Sequence, residues 1–333
     1  MKKSIRVLSL ILVLALFAFM AMGSGSKSGT ENVQAPSSVT TGDQNTETPK
    51  PADTSEPAAT PTSSPSQTAP SSTPATPAPT PTASTAVTVQ EGVIFEQDGI
   101  RITLKGFDEK GLFGPELKFL IENDTDMDII VQTRNESVNG YMIDASMSAE
   151  VASGKKANDG MTLMKSDITR AGIKTIADIE FSFYIFDDES WDTICESDMI
   201  RVETSAADGF EYTYDDSGDL AYNGNGVEIV IKGLSEKDSW LGPSVVVYIS
   251  NTSSRNVMVQ TRDVSINGFM IDPYFSPEVA AGKRAIDSIT FSSTDLEEND
   301  IEKIESIELS FHIFDSDSWN AIADTEVVTI NFD

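Results

Sequence analysis

Two acidic triplets, Asp187-Asp188-Glu189 and Asp315-Ser316-Asp317, each stand just before a Ser-Trp pair. Carboxylate oxygens at this density suit a hard cation, which makes Asp187, Asp188, Asp315 and Asp317 the candidate calcium ligands. Their spacing is not that of an EF-hand loop, and the plainer reading is an acidic loop in which Trp191 or Trp319 closes one end of a core. Gly154-Lys155-Lys156 and Gly282-Lys283-Arg284 place Lys155 and Lys283 as candidate anion contacts. A phosphate loop is excluded, because the upstream glycine is Ala149 or Pro277 and no Ser or Thr follows the lysine. These basic pairs fit a turn between strands that offsets an acidic field. Asn139-Gly140 and Asn267-Gly268 supply the two residues tolerant of positive φ that a type I′ turn needs, and a loop tip on a rigid scaffold is also a place for a ligand.

The remaining reactive side chains exclude more than they assign. With one His (His312) and one Cys (Cys195), the sequence given cannot build a disulfide framework, a Cys or His zinc site, or a mechanism that needs two histidines. Carboxylates abound without a spacing that marks a cleft, so the chain reads as a non-enzyme with no cofactor, calcium being the one ion to consider. Arg134 and Arg262 fall within candidate strands and are expected to pair with Glu180 or Glu308. Asp plus Glu number 53 against 23 Lys plus Arg, a formal charge of -30. Such a surface repels nucleic acid and anionic headgroups. The expected partners are a cell-wall polymer or an extracellular protein, with a membrane met only through an uncleaved signal or anchor.

The elements that position these residues come in two copies. Gly114-Pro115 recurs as Gly242-Pro243, and from there an offset of 128 runs without a gap to Thr204 and Phe332. Val131-Gln132-Thr133-Arg134 returns as Val259-Gln260-Thr261-Arg262, and Ile185-Phe186-Asp187 with Trp191 returns as Ile313-Phe314-Asp315 with Trp319. His312 corresponds to Tyr184 and Cys195 to Ala323, which argues for packing roles over shared chemistry. In Ile179 to Ile185 and Ile307 to Ile313, apolar residues alternate with polar ones, the period of a half-buried strand. Further strands are expected at 100–104, 116–122, 127–133, 200–203 and their counterparts, the last at 327–332. Short helical turns are expected between Asp167 and Thr175 and over Asp295 to Lys303, where Thr294 and Glu297 have capping-box spacing. Many short strands separated by turn residues predict an antiparallel β-sandwich for each copy.

Upstream, Lys2, Lys3 and Arg6 precede an apolar run of roughly 16 residues, short of the ~20 that span a bilayer. Residues 1–23 therefore read as a signal peptide cleaved before Ser24. Residues 24–90 read as a disordered Ser/Thr/Pro-rich linker, carrying the prolines from Pro36 to Pro81. Repeat 1 follows at 91–205, a connector at 206–216 and repeat 2 at 217–333.

Together, the export signal, the Ser/Thr/Pro linker and the tandem Asn-Gly, Gly-Lys and Phe-Asp-x-x-x-Trp signatures resemble immunoglobulin-like domains of unknown function in Gram-positive secreted or cell-envelope lipoproteins. The resemblance covers residues 91–333 and implies all-β, Ig-like sandwiches outside the cell, with no catalytic residues. Ser24 stands where such lipoproteins carry a lipid-accepting Cys. The expected function is display of two binding or spacer modules on a flexible stalk, or docking of a partner protein as an assembly subunit. A polymer binder would expose aromatics such as Trp240, Tyr274 or Phe275.

Overall fold

A computed structural model of the chain describes residues 33–42, 86–235 and 242–332. The signal segment, Ser24, Trp240 and linker residues 43–85 lie outside the described residues. Residues 33–42 and 87–332 belong to one unit. Among the described residues, no helix is long and apolar enough to cross a membrane. The architecture is all-β: antiparallel sheets stacked as sandwiches, with two short helices among the described residues.

Two short strands come first, β1 (Val33–Gln34) and β2 (Ser38–Thr41). The first sandwich follows with β3 (Gly92–Gln97), β4 (Ile100–Asp108), β5 (Glu116–Asn123), β6 (Ile129–Val138), β7 (Tyr141–Met142), β8 (Ala145–Ser146), β9 (Ser148–Val151) and β10 (Lys155–Leu163). After helix α1 (Lys165–Arg170) come β11 (Asp178–Asp187), β12 (Thr193–Glu196) and β13 (Ile200–Glu203). One of its sheets runs β3-β4-β5-β10-β8, and the other is built on β6 and β11 with β7, β9, β12 and β13. The second sandwich repeats the plan with β14 (Asp219–Gly224), β15 (Val227–Ser235), β16 (Ser244–Asn251), β17 (Val257–Ile266), β18 (Phe269–Met270), β19 (Glu278–Val279) and β20 (Arg284–Thr290). Helix α2 (Ser293–Glu298) leads to β21 (Ser306–Asp315), β22 (Ala321–Asp324) and β23 (Val328–Asn331).

Alternation along β11 and β21 places the core. Ile179, Phe181, Phe183 and Ile185 are fully buried, as are Ile307, Leu309, Phe311 and Ile313. Phe183 meets Phe119 and Phe181 edge-on, with centroids 5.7 and 5.3 Å apart. Each such ring contributes roughly 2–3 kcal/mol by leaving water. Both helices are shorter than their spacing suggests. At α2 the cap is Ser292, which accepts from the Asp295 amide, so the helix begins before Thr294.

The span read as linker needs a correction. Residues 38–41 pair antiparallel with 331–328 on β23, and Val33 and Gln34 pair with Ser235 and Leu234 on β15. Val39 packs against the core of the second sandwich. The β-branched run Val39-Thr40-Thr41 suits a strand, and β23 offers it an edge. At the other end of the linker, Val89 already bridges to Thr204.

The recurring Gly-Pro pairs have a steric origin. A Cβ on Gly114 would stand 1.9 Å from the Leu163 carbonyl oxygen, and one on Gly242 would stand 2.0 Å from that of Phe291. Both glycines also have positive φ, 154° and 136°. Gly242→Ala is therefore expected to cost about 2–3 kcal/mol, read as a lower midpoint in denaturant unfolding, while Gly268→Ala, whose Cβ meets nothing within 4 Å, costs less.

Candidate functional site

Residues that could bind a ligand in isolation are used instead to join the sandwiches. At Asn139-Gly140 the chain turns between β6 and β7 with φ of 51° and 82°, a type I′ geometry. The Asn139 side chain is buried; it donates to the Thr175 carbonyl and accepts from the Ala177 and Asp178 amides. The turn meets the second sandwich at the start of β20, where the Arg284 amide donates to the Gly140 carbonyl at 3.0 Å and Tyr141 pairs in parallel with Arg284. That single step fuses sheets from both sandwiches into one of 11 strands. Tyr141 is 4% exposed, Val230 and Tyr248 join the first core, and Met142 packs on the second.

Charged groups line this junction. Lys283 donates to Glu180 at 2.5 Å, both side chains largely buried. Arg201 spans Asp178 at 2.9 Å and Glu180 at 3.3 Å, and the Tyr212 hydroxyl also donates to Asp178. Arg284 lies 3.7 Å over the Tyr214 ring, which meets Tyr141 edge-on at 5.4 Å. On the other flank Arg170 reaches both Asp167 at 3.4 Å and Asp287 at 3.7 Å, the latter across the junction. Lys283 is thus a structural cation. The connector residues Tyr212 and Tyr214 were not singled out by sequence; their signal is the aromatic alternation Phe210, Tyr212, Tyr214 in an acidic stretch.

The counterparts stay open. Asn267 repeats the Asn139 hydrogen bonds, to Lys303, Glu305 and Ser306. Gly268 leads into Phe269 and Met270, which are 48% and 68% exposed where Tyr141 is buried. Lys155 is exposed at the start of β10, and Lys156 beside it pairs with Glu122. A shallow cavity of about 270 Å³ beside Met270 is lined by Arg262, Asp263, Asp272 and Phe275.

The acidic triplets are loop braces. One Asp187 oxygen accepts the Ser190 and Glu189 amides at 2.6 and 3.0 Å, and Asp315 accepts those of Ser318 and Asp317 at 2.8 and 3.2 Å. These bonds, first those from Ser190 and Ser318, hold both carboxyls below the usual range. Asp317 joins its brace through its amide, and the Asp188 amide donates to the Asp128 carbonyl; among the described residues no three Asp, Glu, His or Cys side chains are placed to hold a metal.

Beyond the braces the tryptophans correct the expectation that they close the core. Trp191 and Trp319 are 62% and 74% exposed, each with positive φ, 66° and 61°. Their amides donate to Asp187 and Asp315, and each ring stacks on a phenylalanine, Phe186 at 5.4 Å and Phe314 at 5.6 Å. The core beneath is complete without them, so they lie outside it. In the first sandwich the stack continues through Tyr184 to Arg134, whose guanidinium lies 3.4 Å over the Tyr184 ring. Arg134 and Arg262 pair with Glu196 and Asp324, reaching past β11 and β21 to β12 and β22, while Glu180 is engaged by Arg201 and Lys283 and Glu308 accepts from Ser265. His312 shares Asp324 at 2.6 Å, and Cys195 is buried, which pushes its thiol up. Tyr274 is 63% exposed; Phe275 is half-buried against the core.

No family model matches the chain, and no curated protein does. Among solved structures, the YadV chaperone matches at 11% identity over 63% of this chain and 91% of its own, with a TM-score of 0.22.

More than one carboxyl at the junction is pushed up; Asp287 is raised by burial first. Asp144 is pushed up to about 6, by burial first and then by Asp167, Asp287 and Glu136, with Arg170 opposing. A folded value above the ordinary 3.8 means the folded state takes the proton more readily, so this group adds stability as pH falls through 6 toward 4. The thermal midpoint is expected to rise from pH 7 to pH 5 and to lose part of that rise in Asp144→Asn, Asp287 and Glu136 keeping the remainder.

Proposed function

We propose that the chain is a non-enzymatic, extracellular cell-envelope protein that presents two Ig-like modules on one rigid unit, with Trp191 and Trp319 as the contact points for an extended polymer. The observation that carries this reading is the pair of exposed indoles held the same way in both sandwiches. Each has one face stacked on a buried phenylalanine and the other open to solvent. An aromatic face that is fixed before contact loses little entropy on binding, and a cell-wall glycan offers flat apolar sugar faces to it. Two such points on a rigid body add through effective concentration if both engage one polymer. The acidic surface fits neutral or cationic polymers better than nucleic acid.

Exposed Phe269 and Met270 favour a second reading, docking of a partner protein at the free end of the second sandwich. That reading makes the chain an assembly subunit, and a partner would cover there what the second sandwich covers on Tyr141 and Met142.

Co-sedimentation of the full chain with insoluble cell-wall material, with and without millimolar calcium, tests the first reading. Retention is expected to fall several-fold in Trp191→Ala or Trp319→Ala and at least tenfold in the double variant. Retention that is absent, or unmoved by both substitutions, removes polymer binding; calcium dependence would make the Asp187 and Asp315 loops ion sites.

A further inference from the structure

The edges of β15 and β23 form a slot for one extended strand, and its occupant comes from far upstream. Residues 33–42 cross from one sheet of the second sandwich to the other, with two residues paired on β15 and four on β23. The Ser37 amide and hydroxyl both donate to the Asn331 carbonyl, at 2.7 and 3.0 Å, and the Gly42 amide donates to that of Val327 at 3.3 Å. Asn331 returns a side-chain bond to the Ser38 hydroxyl at 3.0 Å.

Gly233 shows that the slot is shaped for a backbone. A Cβ there would stand 2.3 Å from the Gln34 carbonyl oxygen, and its φ of 145° suits glycine. Gly106 holds the same bulge position in the first sandwich, with φ of 155°, and a Cβ there would meet nothing within 4 Å. The first sandwich instead begins its own pairing at Val89, directly ahead of β3. In the second, the residues that precede β14 are committed to the junction through Tyr212 and Tyr214. The β23 edge is thereby left to a strand from elsewhere.

The grip of this strand is light. Val33, Pro36 and Val39 are half-buried, the other seven residues of the segment are exposed, and Val39 alone packs on the core. Backbone pairing and two half-buried valines, of which Val39 alone reaches the core, hold it in place. Attachment through residues 43–86 raises the local concentration of the strand to the order of millimolar, which favours the same chain as its source.

We infer that the β15–β23 slot is a strand-binding site whose ligand is residues 33–42 of the same chain, held by backbone pairing and released without unfolding either sandwich. While the strand is bound, the chain is fixed to the second sandwich over Val33–Gly42; on release, that segment keeps only its covalent connection to the folded unit. This goes beyond the display reading, and amide exchange reports on the strand whether or not the chain meets a polymer.

Hydrogen exchange on the full chain tests it. The Ser37 and Gly42 amides should exchange at least tenfold slower than in an unstructured peptide and at least 100-fold faster than β16 amides. Protection equal to β16 would overturn release, and no protection would overturn binding. Val39→Asp and, independently, Gly233→Val should abolish the protection while β16 and β17 keep theirs. Loss of protection in β16 and β17 as well would make the strand an integral part of the sandwich and overturn the proposal. A Ser38→Cys/Asn331→Cys pair in a Cys195→Ala chain, oxidised at low micromolar concentration, should give a monomeric disulfide. Disulfide-linked dimers would assign the strand to a second copy and overturn the same-chain site.

Discussion

An unpaired strand edge is the constraint around which this molecule is organised. Each sandwich ends in strands whose outer N–H and C=O groups need partners, water or protection. Edges of the second sandwich are closed by other parts of the chain in two places: β20 by the Gly140-Tyr141 turn, and β15 together with β23 by residues 33–34 and 38–41. The first closure fuses sheets and fixes the junction; the second turns a stretch of the linker into part of the fold. Gly140, Gly233 and Gly242 stand where backbones approach one another or turn with positive φ, which a side chain would hinder.

Much of the architecture is legible in sequence because its signals are local. Alternation along Ile179 to Ile185 and Ile307 to Ile313 marks the central strands, and Asn-Gly marks the turns. Closure of the edges is not legible in the same way. Asn139-Gly140 and Asn267-Gly268 have the same local chemistry and the same internal hydrogen bonds, yet one is buried in a junction and the other is open. Only tertiary placement separates them. Val39 sits among prolines and serines whose composition argues for disorder, and its partner Ile330 lies nearly 300 residues downstream. No local pattern announces that pairing.

The candidate sites follow the same division. Carboxylates in a triplet suggest a cation, but backbone amides two and three residues on are nearer competitors, and Asp187 and Asp315 are spent on them. Arg134 was expected to take Glu180, which the second sandwich recruits through Lys283. Tyr212 and Tyr214 gain their importance from what they clasp. The tryptophans invert the usual expectation for large apolar side chains, because a positive φ on each swings the ring outward onto a phenylalanine already in the core.

The most direct test of the account is the exchange rate of one amide. Arg284 and Lys156 hold equivalent places on β20 and β10, and the Arg284 amide donates to Gly140 across the junction. In dilute full-length protein, Arg284 should exchange at least 100-fold more slowly than Lys156. Equal rates at the two positions would mean that the sandwiches are not joined through this edge, and the continuous sheet would have to be abandoned.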